Sequence, residues 1–116
     1  LQDLPWPPDL VWLGVGADGH TASLFTGPDL RDALEAPKAR RAVGVMPDPL
    51  PEEAPVARVT LTRAAILSAR TVLITLIGDD KREMLERAIE DGQSSKLPIG
   101  RVLAEAEQPI DIHWAP

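Results

Sequence analysis

The chain has 116 residues, 44% of them hydrophobic, and a formal net charge of −6, enough apolar content for one core burying about 60–70% of the unfolded surface. Such an acidic chain presents no basic field to nucleic acid or to an anionic membrane, but it leaves small phosphorylated ligands open, because an anion site needs only one or two local cations and backbone N–H groups. With no cysteine in the sequence, disulfide frameworks, thiolate catalysis and cysteine-based zinc sites are excluded.

No apolar run approaches the roughly 18 residues of a membrane span, and the opening Leu1-Gln2-Asp3-Leu4-Pro5 has neither a basic region nor a signal-like apolar core. The expectation is a cytoplasmic chain. Its first residue is Leu rather than Met, which leaves open a natural N-terminus elsewhere.

The apolar run at residues 10–15, closed by glycines, predicts a strand buried on both faces. Residues 21–25 have the composition of one helical turn before Thr26-Gly27-Pro28 interrupts it. A short helix is expected at 29–36 with Asp29 as its N-cap, then a strand at 42–46. Four prolines between Pro47 and Pro55 predict a stiff irregular loop. The β-branched alternation at 56–62 predicts a third strand, and 63–70 has helix-forming composition. Residues 71–77 form the most strand-like run, ended by Gly78. Met84, Leu85, Ala88 and Ile89 then make one apolar stripe on a helix over 79–90. A turn at 92–95, a short helix at 97–103 and a final strand at 110–114 complete the chain. Alternating strands and helices imply an α/β fold: a mixed, partly parallel, Rossmann-like sheet covered by helices on at least one face.

Gly14-Val15-Gly16-Ala17-Asp18-Gly19 satisfies G-x-G-x-x-G directly after a strand. A dinucleotide site, however, needs a long helix after the third glycine to aim its N-terminus at a pyrophosphate. Here helical sequence lasts only a few residues, and the nearest suitable acid is Asp48, about 30 residues beyond Gly19 and inside the proline-rich loop. The glycine loop instead runs into Asp18-Gly19-His20-Thr21, which suits presentation of an imidazole at the C-terminal edge of a sheet, where open α/β folds bind ligands. His20 is then a candidate general base with Asp18 as its partner, or a loop histidine that merely caps a short helix; spacing does not choose between them.

The segment from Gly14 to Phe25, with Asp18-Gly19-His20-Thr21-Ala22-Ser23-Leu24-Phe25 at its centre, resembles the G-x-G-x-D-G-H-T-A-S-L-F-P-G signature of 6-phosphogluconolactonases. Arg58 to Thr62 and Gly78-Asp79-Asp80-Lys81 resemble two further family segments, and Leu97-Pro98, Arg101-Val102 and Ile112-His113-Trp114 fit its C-terminal region. Thr26 stands where the family usually has proline, a difference that bears on loop stiffness more than on chemistry. The resemblance implies hydrolysis of a phosphorylated sugar lactone, with His20 activating water, Asp18 beside it, and Gly16, Gly19, Thr21, Arg58 and Lys81 around the substrate. Arg58 is open to two roles, bonding substrate oxygens or pairing with an acid that supports the loop. His113, alternating with Ile112 and Trp114 on the last strand, is assigned no function.

No cofactor or metal is called for. The family's catalytic unit is roughly twice this length, so the resemblance also implies that these residues are the C-terminal half of one α/β domain. A missing N-terminal half would then leave an incomplete pocket and an exposed apolar flank. Two other readings remain. A glucosamine-6-phosphate deaminase has a similar histidine loop but follows it with an acid-bearing F-N-E-P stretch, where this chain has Ser23-Leu24-Phe25-Thr26. The other is a non-catalytic half-domain that binds sugar phosphates or pairs with a partner chain.

Overall fold

The computed structural model describes residues 4–27, 29–46 and 57–116. The proline-rich loop expected at 47–55, and Val56 at the start of the third predicted strand, lie outside them. Ten elements follow in chain order: β1 (Leu10–Gly14), α1 (Leu30–Glu35), β2 (Ala42–Val45), β3 (Arg58–Leu61), α2 (Arg63–Leu67), β4 (Thr71–Ile77), α3 (Asp79–Asp91), a 3₁₀ turn (Gly92–Ser94), α4 (Pro98–Ala104) and β5 (Ile110–Ala115).

The strands form two separate sheets. β1, β4 and β5 make a parallel sheet in the order β1-β4-β5, while β2 and β3 pair antiparallel on their own. The fold is α/β with helices packed on a parallel sheet, as the alternation of elements predicts.

Sheet register decides which side chains are buried. Val11 and Leu13 of β1, with Val72, Ile74 and Leu76 of β4, point into one core that also takes Ile66, Leu85, Ala88, Ile99 and Val102 from the helices. Val43, Val45, Ala33 and Leu34 bring β2 and α1 into the same cluster. Ile66, Ile74 and Ile99 are fully buried, each contributing about 1.5–3 kcal/mol of apolar transfer. Thr62 starts α2 by accepting the Ala65 N–H at 3.1 Å while its hydroxyl donates to the Arg40 carbonyl at 2.8 Å, tying the helix start to the chain before β2.

The opposite face of the parallel sheet is bare among the described residues. Leu10 and Trp12 register with Thr71 and Leu73, and Leu73, Thr75 and Ile77 register with Asp111, His113 and Ala115. Leu10 is 51% exposed, Trp12 68% and Ile77 72%. The expectation that the first strand is buried on both faces is therefore corrected: the run is apolar on both sides, but only one side meets a packing layer.

Four local expectations also change. Residues 21–25 form turns rather than a helical turn, because Thr21 bridges to both Val15 and Leu24. Asp29 does not cap α1 with its side chain; its carboxylate accepts the Met46 N–H at 2.7 Å, joining the helix start to the end of β2. In α3, Leu85 and Ala88 are buried and Met84 half-buried, whereas Ile89, read as part of the same stripe, is exposed. α2 stops at Leu67, short of the predicted 63–70, as the Ser68 hydroxyl and N–H turn back to the Ala65 carbonyl.

Candidate active site

The loop that leaves the C-terminal end of β1 is closed by its own backbone. Gly16 N–H donates to the His20 carbonyl at 2.9 Å, Gly19 N–H donates to the Gly16 carbonyl at 2.9 Å, and the Thr21 hydroxyl donates to the Gly14 carbonyl at 2.9 Å. Both glycines are required by space. A Cβ on Gly16 would lie 2.2 Å from His20 Cε1, and Gly19, at φ 86°, has Leu97 atoms where a Cβ would stand. The Gly19 carbonyl accepts the Ile99 N–H at 2.9 Å, so the loop is anchored to the first turn of α4.

Within this frame Asp18 and His20 face each other. His20 Nδ1 lies 2.5 Å from Asp18 Oδ1, which also accepts the His20 backbone N–H at 3.1 Å. Partial burial works to raise the Asp18 carboxyl, but the backbone bond from His20, the bond to its ring and the attraction of its charge outweigh that and hold Asp18 below the ordinary carboxylate value. An ionised carboxylate only accepts, so Nδ1 carries the proton in this pair and Nε2 is left as the basic nitrogen. The Phe25 ring stacks on the imidazole at 4.3 Å between centroids with 19° between planes, fixing the ring from a second side.

Arg58 reaches this group through Phe25, its guanidinium carbon lying 5.1 Å from the ring centroid. The neighbouring strand residue Thr60 accepts the Ser23 N–H at 3.0 Å, so β3 supports the far side of the loop. Lys81 is half-buried in the first turn of α3 and lines a cleft of about 390 Å³ with Gly14, Val15, Thr75, Leu76, Ile77, His113 and Ala115. The cleft touches the start of the histidine loop at Gly14 and Val15, but His20 is not among its lining residues.

The structure thus brings Asp18, His20, Gly16 and Gly19 into one loop, adds Arg58 by way of Phe25, and sets Lys81 at the adjoining strand end. Thr21, read as a substrate contact, is fully buried with its hydroxyl committed to Gly14, which makes it a brace for the strand exit. Phe25 and Thr60 were not singled out from the sequence. Phe25 stood in the quoted motif as an apolar residue five positions after the histidine, yet nothing in that spacing announces a stacked ring. Backbone N–H groups of residues 16–20 suggest themselves as donors to a developing oxyanion, but those of Gly16, Gly19 and His20 are engaged inside the loop. Among the described residues no group of three or more His, Asp or Glu side chains converges as a metal site would require.

A family profile described as glucosamine-6-phosphate isomerases/6-phosphogluconolactonase matches residues 2–114. The chain belongs to this family. Within the isomerase/lactonase family, a curated 6-phosphogluconolactonase of Mesorhizobium japonicum is 40% identical over the whole of this chain, which corresponds to 47% of the relative. A crystal structure of a 6-phosphogluconolactonase from Shewanella baltica superposes with a TM-score of 0.83 at 34% identity, covering 98% of this chain and 47% of that one. A monomeric glucosamine-6-phosphate deaminase shares the fold, with a TM-score of 0.62 at 19% identity over 91% of this chain and 45% of its own. The chain spans about half the length of the curated relatives it matches. No helix among the described residues is long and apolar enough to cross a membrane.

Proposed function

We propose that this chain is the C-terminal half of a 6-phosphogluconolactonase domain and carries the water-activating histidine for hydrolysis of 6-phospho-D-glucono-1,5-lactone to 6-phosphogluconate. The single observation that carries the reading is the oriented imidazole: Asp18 holds Nδ1 at 2.5 Å, and Phe25 stacks on the ring. In that state Nε2 takes a proton from water as the oxygen adds to the lactone carbonyl. The tetrahedral oxyanion collapses by breaking the bond to the ring oxygen, and the imidazolium returns its proton to that leaving group. Ionised Asp18 stabilises the imidazolium between the two steps. General base catalysis of this kind contributes about 10²–10⁴-fold, and the rest comes from positioning.

Lys81 and Arg58 supply the cations that hold the phosphate end, and the backbone of Gly16 and Gly19 shapes the loop against the lactone ring. The remaining half of the domain, supplied by the same polypeptide, completes the pocket. A phosphorylated sugar lactone of central metabolism is consistent with a cytoplasmic enzyme. The deaminase reading lacks an acid in Ser23-Leu24-Phe25-Thr26, and no observation favours it.

The test is hydrolysis of freshly prepared 6-phosphogluconolactone by the full-length protein and its His20→Ala variant, corrected for spontaneous opening. Loss of about 10²–10⁴-fold in kcat in a folded variant is expected. An unchanged rate in the variant would make His20 structural, and no activity in the parent protein would favour the non-catalytic half-domain or another substrate.

A further inference from the structure

His113 projects from β5 on the bare side of the parallel sheet, at the C-terminal end of the strands where open α/β sheets take their ligands. Its register partner is Thr75, whose hydroxyl accepts the Trp12 indole N–H at 2.8 Å and is thereby fixed beside it. Lys81 and His113 are the two basic residues of the cleft at this edge, on a floor of Gly14, Val15 and Thr75. No carboxylate is among the lining residues: Asp79 and Asp80 at the start of α3 and Asp111 earlier on β5 are exposed outside it. Arg82, the next cation along α3, faces the Trp114 ring at 4.5 Å instead.

We propose that His113 is a positioning residue for the phosphate end of the ligand, donating an imidazole N–H to a phosphate oxygen across the cleft from Lys81. An imidazole keeps at least one N–H donor in either charge state. A strand position alternating with Ile112 and Trp114 would be filled as well by an aliphatic residue; the imidazole adds a donor beside Lys81, the other basic residue lining this cleft. The assignment extends the lactonase reading, on which its kinetic test rests.

In the full-length protein, His113→Leu should raise KM for 6-phosphogluconolactone about five- to tenfold, the scale of one charge-assisted hydrogen bond, with kcat within about twofold. The same variant should leave kcat/KM for unphosphorylated glucono-1,5-lactone unchanged, and His113→Gln, which keeps an N–H donor, should recover most of the affinity. An unchanged KM, or equal loss on both lactones, overturns the assignment. A binding experiment separates this inference from the lactonase reading. Imidazole resonances assigned to His113 by comparison with His113→Gln should shift on adding 6-phosphogluconate and stay still with gluconate. A protein that hydrolyses neither lactone yet shows this shift keeps the phosphate contact and loses the lactonase reading. Turnover with silent His113 resonances does the reverse.

Discussion

A methyl group at position 16 would sit 2.2 Å from Cε1 and 2.3 Å from Nδ1 of His20, so the imidazole and the methyl cannot share the space. The ring is also held by Asp18 and Phe25, and moving it breaks the hydrogen bond that sets its tautomer. Gly16→Ala should therefore lower lactonase kcat by about 100-fold or more while far-ultraviolet circular dichroism stays unchanged. Retention of full activity would show that the ring position seen here is not the working one. This residue also shows how far the sequence was legible. G-x-G-x-x-G is shared by nucleotide-binding loops, in which glycine lets backbone approach a pyrophosphate; here the same glycine makes room for a side chain four positions later. The residue type could be read, whereas the reason for it required coordinates.

At the scale of elements, α4 carries the loop's anchor, and its packing on α3 depends on Gly100. A Cβ there would meet Ser95 Oγ at 2.4 Å and the Ala88 carbonyl oxygen at 2.9 Å. The Ser95 hydroxyl can rotate away, but Ser95 Cβ, 2.6 Å from the added methyl, and the helix backbone of α3 cannot. Gly100→Ala should destabilise the protein by about 1–3 kcal/mol through overpacking, read as a lower midpoint in urea, in spite of alanine's better helix propensity. A higher midpoint would mean that α4 shifts freely. Displacement of α4 also moves Ile99, whose N–H holds Gly19, so the same variant should lose activity before it loses structure. The helices and strands themselves were readable because their apolar periods are clean, as in the strand 71–77. The turn at 21–25 was not: its composition favours a helix, but Thr21 is committed to Val15, Gly14 and Leu24, and these contacts override a weak local preference.

For the whole molecule, the one-sided sheet is the dominant feature. Parallel sheets are ordinarily covered on both faces, and the continuous apolar character of residues 10–15 reads that way, but among the described residues only one face is covered. The edge of β1, unpaired among the described residues, and the exposed Leu10 and Trp12 together form a surface that favours association. The 116-residue chain alone should bind an apolar dye and sediment as a concentration-dependent mixture, and both effects should vanish in the full-length protein. A monomeric, dye-silent chain would refute the view that this face needs a cover.

The same surface has an optical consequence. Trp6 lies beneath the Arg41 guanidinium and Trp114 beneath Arg82, so two of the three indoles already have a partner above the ring. Trp12 does not have such a neighbour among the described contacts and stands largely in water, its N–H held by Thr75. Its emission should be that of a solvent-relaxed indole, and a layer laid over the sheet should carry it toward the blue. Assembly of the domain thus comes with its own unlabelled reporter, placed on the strand that leads into the histidine loop.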